Sequence, residues 1–147
     1  MKFIIREIEK GDFLVWSNLW KKYLDFYETK LPKQIFKNSF DRMLDPNEKN
    51  LYGFLAVLNN EPVGLAHIVL HDHNWKIEKA VYLQDLYVLS NFRKKGIGKK
   101  LINSVYEFAD NNKLSYVYWL TQDFNIEARS LYNKVGKVTP FIKYNRF

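Results

Sequence analysis

Apolar positions along the chain recur with two periods, near two residues and near 3.6 residues, and they predict a mixed α/β domain. Helices are expected after Asp12, over 32–44, from about 94 to 110, and between Asn125 and Gly136. Strands are expected over 3–8, 51–58, 62–71, 80–89, 114–121 and 138–144. The predicted order is β-α-α-β-β-β-α-β-α-β, which indicates a mixed, mostly antiparallel sheet with helices packed on it.

The most informative segment is Arg93-x-x-Gly96-x-Gly98, which joins a predicted strand to a predicted amphipathic helix. Glycine lacks a Cβ, so the backbone can approach a ligand closely. The first N–H groups of a helix have no intrahelical acceptor and lie at the positive end of its dipole. The segment therefore predicts a site for a ligand that carries phosphates.

The charge of the chain is concentrated beside these glycines. The protein has 23 basic and 16 acidic residues and a net charge of +7, and residues 91–100 hold five basic residues and no acid. Cations at a helix N-terminus oppose the macrodipole, and a bound anion removes that cost. A local excess is what a single polyanionic ligand requires, so we expect neither a nucleic-acid partner nor a membrane partner.

Composition excludes several other classes of protein. The chain has no cysteine, which rules out a disulfide framework, a thiolate zinc site and a cysteine nucleophile. Charges interrupt the first apolar residues, and no apolar run approaches the ~20 residues of a membrane span. We therefore expect one cytoplasmic domain over residues 1–147.

Two motifs in this order resemble the GNAT superfamily of acetyl-CoA-dependent N-acetyltransferases. The first is the family's Q/R-x-x-G-x-G/A signature, matched by Arg93, Gly96 and Gly98. The second is a later helix motif that reads Asn125-x-x-Ala128-x-x-Leu131-Tyr132-x-x-x-Gly136. Residues 117–123 and 131–136 are also similar to the small histone, polyamine and D-amino-acid acetyltransferases of this superfamily.

The resemblance implies that acetyl-CoA is the acetyl donor and that the fourth and fifth strands splay apart, helped by a β-bulge. One N–H group, of Tyr87 or Val88, would then stabilise the oxyanion of the thioester. The implied contacts with the donor come from residues of the fourth strand, the glycine turn and the last helix: Leu86, Tyr87, Val88, Arg93, Lys94, Lys95, Gly96, Ile97, Gly98, Lys99, Asn125 and Tyr132.

The implied chemistry needs an acid and a base. Tyr132 aligns with the tyrosine that protonates the departing thiolate in this superfamily. An alkyl ammonium with a pKa near 10.4 is only about 0.04% neutral at pH 7, so its proton must be removed. Many members use a glutamate on the fourth strand, where this chain has Gln84-Asp85, and Asp85 is our candidate. Glu127 and Asp123 are the alternative candidates for the base.

Other classes of site and of protein fit parts of the sequence. His71 and His73 would share a strand face if the strand extended that far, but the segment from His71 to Asn74 is typical of a loop. No third ligand has suitable spacing, so no metal site is expected. A Rossmann domain would need a third glycine where Leu101 stands. A basic nucleic-acid-binding module, or a protein that binds coenzyme A without catalysis, would fit parts of the pattern.

The acceptor is the least determined part of the prediction. Polyamines, amino acids, protein amino groups and small aminated metabolites stay open, and the subgroup similarity favours small amines. Some aromatic residues, namely Trp20, Tyr27 and Trp75, are candidates for the acceptor wall. The last strand, over 138–147, has the character of an exposed edge, so we expect a homodimer.

Overall fold

A computed structural model describes residues 2–147, in which five strands and four α-helices follow one another. The elements are β1 (Phe3–Glu7), α1 (Phe13–Phe26), α2 (Lys33–Leu44), β2 (Leu51–Leu58), β3 (Glu61–His73), β4 (Lys76–Val88), α3 (Ile97–Asn111), β5 (Val117–Tyr118) and α4 (Ile126–Val135). The strands form one sheet in the order β1-β2-β3-β4-β5, antiparallel except for the parallel pair β4 and β5. The predicted fold class is confirmed.

The two faces of the sheet carry separate hydrophobic cores. On one face α3 packs through fully buried residues such as Leu101 and Val105. On the other face α1 and α2 meet the sheet around Trp16 and Phe40, and Trp16 is completely buried. Apolar residues spaced by a helical period produce these contacts, because they lie on one side of each helix.

β4 and β5 touch over two residue pairs, Val81 with Val117 and Tyr82 with Tyr118. Beyond Tyr82, β4 continues for six residues to Val88 while β5 has ended. The two strands therefore diverge, as predicted, and the backbone of the second half of β4 faces a gap.

A β-bulge marks the point of divergence. His67 of β3 pairs with Asp85, and its neighbour Ile68 pairs with Leu83, so Gln84 is the extra residue. Because of this insertion, Val81 and Leu83 before the bulge contact the same core as Leu86 after it. A bulge also bends its strand and increases the local twist, which suits a strand that leaves its neighbour.

Several predicted elements differ from the structure. The strand expected over 138–144 is not formed: Phe141 and Tyr144 are almost fully exposed, and the described part of this single chain offers the segment no neighbouring strand. The fifth strand is two residues long because its neighbour turns away. The segment His71 to Asn74, expected as a loop, lies mostly in β3, and α3 begins at Ile97 rather than near Lys94. Within residues 2–147, no helix is long and apolar enough to cross a membrane.

Candidate functional site

The gap between β4 and β5 opens into a cavity of about 820 Å³, which is within the range for ligand sites in proteins. Its walls come from the end of α1, the second half of β4, the glycine turn with the start of α3, and α4. A narrow recess of about 20 Å³ adjoins it and is also lined by Leu83, Gln84, Trp119 and Leu120. The cavity and the recess share four lining residues: Tyr23, Tyr27, Leu86 and Tyr132.

The glycine turn forms one end of the cavity. Gly96 has a φ of +83°, and a Cβ placed on it would meet no atom within 4 Å. Lys94 is also in the left-handed region, with a φ of 61°. The Lys100 amide donates to the Gly96 carbonyl over 3.0 Å, so the amides of the first turn of α3 precede the first intrahelical bond. This arrangement suits an anion.

Gly98 lines the cavity, and its missing side chain also lets two helices pack closely. A Cβ on Gly98 would stand 3.1 Å from Leu131 Cδ2, so the missing side chain lets α3 approach α4. The sequence prediction assigned both glycines to close contact with an anion. In the structure, Gly96 shapes the turn and Gly98 allows two helices that line the cavity to pack closely.

The basic residues around the turn divide into two groups. Lys94, Lys99 and Lys134 line the cavity. Lys95 instead places its Nζ 5.6 Å from the Phe92 ring centroid, and only its main chain belongs to the turn. The Lys95 side chain therefore does not line the cavity, although the sequence suggested that it would. Lys134 of α4 adds a positive charge that the sequence did not suggest.

The Arg93 side chain is held by contacts within the protein. Its Nε donates to the Val88 carbonyl over 2.9 Å. Its guanidinium lies over the rings of Phe26 and Tyr87, at 5.8 and 5.5 Å from their centroids. The side chain therefore connects the turn to the end of β4 and to α1. Arg93 also lines the cavity.

The direction of the β4 amides follows from the ladder with β3. The Leu89 amide donates to the Val63 carbonyl over 2.9 Å. Hydrogen-bonded and non-bonded pairs alternate along an antiparallel ladder, so Tyr87 bonds to Leu65 of β3. The N–H groups of Leu86 and Val88 then point away from β3 and into the gap. Of the two residues that the sequence offered as oxyanion donors, the geometry favours Val88.

Tyr132 lies where the cavity meets the recess. Burial raises the pKa of its phenol to about 12, and the neighbouring Tyr27 adds a smaller contribution. The ring packs edge-on to Trp119, with 5.5 Å between centroids. Tyr132 is therefore protonated throughout the physiological range and can donate a hydrogen bond to a group in the cavity.

Asp85 is held by hydrogen bonds that the sequence did not reveal. Its Oδ2 accepts from Trp20 Nε1 over 3.1 Å and lies 2.8 Å from His67 Nδ1. His67 Nε2 in turn accepts from Trp16 Nε1 over 2.8 Å. The carboxylate lies just behind the cavity wall. Burial, followed by the charge of Asp85, raises the pKa values of both Tyr23 and Tyr27.

The remaining candidates lie in different places. Asn125 caps α4 through its Oδ1, which accepts from the Ala128 amide over 3.3 Å, and it lines the cavity. Glu127 also lines the cavity, whereas Asp123 does not. Of the three aromatic residues expected at the acceptor wall, only Tyr27 lines the recess. Trp20 is buried, and Trp75 is 91% exposed at the β3–β4 turn.

The two other histidines bond within their own region. His71 Nε2 lies 2.8 Å from the Tyr118 hydroxyl, and His73 Nδ1 accepts from the Trp75 amide over 3.0 Å. Across residues 2–147, no group of three or more histidine and carboxylate side chains is arranged to hold a metal ion.

Sequence reasoning missed Tyr23, Phe26, Lys134 and His67. The first three line the cavity, and each lies on a helix whose orientation toward the gap depends on tertiary packing. His67 is a polar residue inside an otherwise apolar strand, with 7% of its surface exposed. A single histidine among apolar residues could have indicated a buried hydrogen bond, because buried polar residues almost always have a hydrogen-bond partner.

Comparison with known proteins gives consistent results. A model of the acetyltransferase (GNAT) family matches residues 14–136. The D-amino-acid N-acetyltransferase HPA3 of Saccharomyces cerevisiae is 38% identical over 147 residues, covering 99% of this chain and 91% of that protein. A thialysine N-epsilon-acetyltransferase of Caenorhabditis elegans is 27% identical, covering 64% of this chain and 58% of that protein.

The same fold occurs in solved structures. The structure of AAC(6')-Iy in complex with the bisubstrate analogue CoA-S-monomethyl-acetylneamine has a TM-score of 0.87 with this chain at 21% identity, covering 100% of this chain and 99% of that one. This likeness concerns the fold, including the mixed sheet and the order of its helices.

Proposed function

Because the chain belongs to the GNAT family, and is an acetyl-CoA-dependent N-acetyltransferase, we propose that its acceptor is the primary amine of a small molecule, which attacks acetyl-CoA directly. The relative that acts on D-amino acids spans nearly the whole chain. The recess of about 20 Å³ supports an acceptor with a slim amine-bearing end. The observation that carries the proposal is Tyr132, which lies where this recess meets the large cavity.

The donor would lie in the cavity with its pyrophosphate at the glycine turn. The start of α3 would offer its first main-chain amides to the phosphates, and the Lys94, Lys99 and Lys134 side chains would supply positive charge. Leu86, whose main chain faces the gap, would bind the pantetheine arm, whereas the Val88 carbonyl is already bonded to Arg93. The cavity volume and the chemistry of this lining both suit such a ligand.

The Val88 amide would stabilise the negative charge that develops on the thioester oxygen. Tyr132 would donate a hydrogen bond to the departing sulfur. A thiol has a pKa near 8.5, about 3.5 units below that of Tyr132, so the proton stays mainly on the phenol. The role of Tyr132 is then to stabilise the thiolate as it forms.

Asp85 would accept the proton that the acceptor ammonium loses. Tyr23 lines the recess and feels the charge of Asp85, so the proton can reach the carboxylate through the Tyr23 hydroxyl or a water molecule. The charge of Asp85 also favours a cationic acceptor at this end of the site.

We further propose that residues 1–147 form one acetyl-CoA-binding domain, that the protein works in the cytoplasm where acetyl-CoA is available, and that it forms a homodimer without nucleic-acid or membrane partners. The homodimer is supported by the apolar side chains exposed between Val138 and Phe147. Light scattering of the protein, with and without residues 138–147, tests the dimer.

The central test is turnover of acetyl-CoA with a panel of amines that includes D-amino acids, polyamines, lysine analogues and an amino-terminal peptide. We expect turnover with small amines and release of free thiol in a single turnover. Tyr132→Phe should lower that rate by roughly 100-fold or more while leaving coenzyme A affinity within a few-fold. A protein that binds coenzyme A but releases no thiol with any amine would be a non-catalytic binder.

A further inference from the structure

We infer that His67 is a positioning residue for the proton acceptor Asp85: its neutral ring is fixed by Trp16 and holds the carboxylate in place. This inference rests on the proposed role of Asp85. His67 does not line the cavity or the recess and therefore acts through Asp85 rather than on the substrate.

The hydrogen bonds determine which nitrogen of His67 carries the proton. An indole N–H can only donate, so His67 Nε2, 2.8 Å from Trp16 Nε1, must be an unprotonated acceptor. The proton of a neutral ring then lies on Nδ1, which faces Asp85 Oδ2 at 2.8 Å. The pair is therefore a neutral donor and a carboxylate.

The same geometry fixes which oxygen of Asp85 is available. Trp20 and His67 both donate to Oδ2. The Tyr23 hydroxyl, which lines the recess, also interacts with the Asp85 carboxylate by a side-chain hydrogen bond. Two donors on Oδ2 restrict the rotation of the carboxylate, and Oδ1, which neither Trp20 nor His67 engages, can take the incoming proton.

Burial makes the arrangement rigid. Trp16 is completely buried, His67 is 7% exposed and Trp20 is 7% exposed. The rings of Trp16 and Trp20 stack on each other, and both contact the His67 ring. Side chains locked by packing hold a reactive group to the accuracy that catalysis needs.

His67 does not itself relay the proton. A second proton on its ring would have to sit on Nε2 and break the bond from Trp16. In the proposed step, the ammonium N–H bond breaks and an O–H bond forms at Asp85 Oδ1, so the acceptor becomes a neutral amine and Asp85 a neutral acid. The other titratable groups that face Asp85 are Tyr23 and Tyr27 at the cavity and Tyr82 on β4.

The test compares two amides at position 67. His67→Asn keeps a donor near the position of Nδ1, whereas His67→Gln moves its amide to the position of Nε2. We expect His67→Gln to lower kcat/KM by roughly 10- to 100-fold, the loss that follows when a charged acceptor loses a donor. His67→Asn should recover most of that loss.

Asp85→Asn separates this inference from the proposed function. If Asp85→Asn is inactive and His67→Gln keeps the wild-type rate and pH profile, the positioning role of His67 is wrong. Asp85 then remains the proposed base. If Asp85→Asn is as active as wild type, the proposed base is wrong. Should His67→Gln not fold, nitrogen-15 NMR of the wild-type protein decides, since it has only three histidines. We expect the Nδ1–H form of His67 at pH 7.5, and an Nε2–H or doubly protonated ring would overturn the inference.

Discussion

Gly96 and Gly98 should respond to alanine for different physical reasons. At Gly96 the φ of +83° is the obstacle, because an added Cβ meets nothing within 4 Å. The left-handed conformation costs an alanine about 1–2 kcal/mol. At Gly98 the backbone is helical, and the obstacle is Leu131 Cδ2 at 3.1 Å from the added Cβ. The end of a leucine can move, so we expect a cost below about 1.5 kcal/mol.

The Gly96→Ala variant has two ways to respond. If the turn keeps its shape, the unfolding free energy falls by the full strain, and the melting temperature falls by about 2–4 °C for each kcal/mol. If the turn relaxes, the amides between Lys94 and Ile97 turn away, and losing one bond to a phosphate weakens coenzyme A binding roughly 10- to 100-fold. Urea unfolding and titration calorimetry with coenzyme A measure the two losses.

Leu131→Ala provides the matched background, because it removes the atom that a Cβ on Gly98 would meet. In a double-mutant cycle, the cost of Gly98→Ala should largely disappear when Leu131 is alanine, while the cost of Gly96→Ala should not change. Wild-type stability together with wild-type coenzyme A affinity in Gly96→Ala would refute the reasoning about the turn. An unchanged cost of Gly98→Ala in the Leu131→Ala background would refute the packing argument.

Three further predictions concern single side chains. Because the folded-state pKa of Tyr132 is raised from 10.0 to about 12, its contribution to stability is complete below pH 10 and is lost as the pH rises toward 12. Between pH 10 and pH 12 the free energy of unfolding of the wild type should fall by up to about 3 kcal/mol more than that of Tyr132→Phe. Urea unfolding at each pH measures this difference. Asp12 accepts two bonds from Arg6, at 2.7 and 3.0 Å, which lower its pKa. Asp12→Asn should therefore cost roughly 1.5–3 kcal/mol at neutral pH, and its difference from wild type should shrink as the pH falls below about 4 in the same assay. Lys99 lines the cavity and Lys100 does not, so calorimetry should show weaker coenzyme A binding for Lys99→Ala and unchanged binding for Lys100→Ala.

The sequence predicted best the elements whose signals are local. Helical spacing after Asp12 predicted α1, and β2 lies at the predicted residues 51–58. The glycine turn before a helix was also predicted, because glycine tolerates the φ of +83° that Gly96 adopts there. Such elements form because neighbouring residues along the chain favour them.

Elements that depend on a neighbour were predicted less well. The composition of residues 114–121 suits a strand, yet only Val117–Tyr118 pairs, because β4 turns away at Gln84. The segment 138–144 has an edge-strand composition but no partner within the described chain. Likewise, the bond between His67 and Asp85 depends on the β3–β4 register and on its shift at the bulge. No spacing in the sequence reports that register.

The bulge at Gln84 gives a direct test of how the fold creates the site. Deleting Gln84 leaves every observed β3–β4 pair in place, because Leu83 would still face Ile68 and Asp85 would still face His67. Only the bend is lost, and without it β4 can continue alongside β5 and narrow the gap. We therefore expect the deletion variant to keep its melting temperature within a few degrees and to lose coenzyme A binding.

Gln84→Ala is the matched control, since it keeps the extra residue and removes only a side chain that lines the recess. It should bind coenzyme A as the wild type does, and calorimetry of both variants makes the comparison. Wild-type affinity in the deletion variant would mean that the divergence of β4 and β5 does not depend on the bulge. In that case the short contact at Val81 and Tyr82 must be set by the turn between α3 and β5, and the site would be shaped from that side.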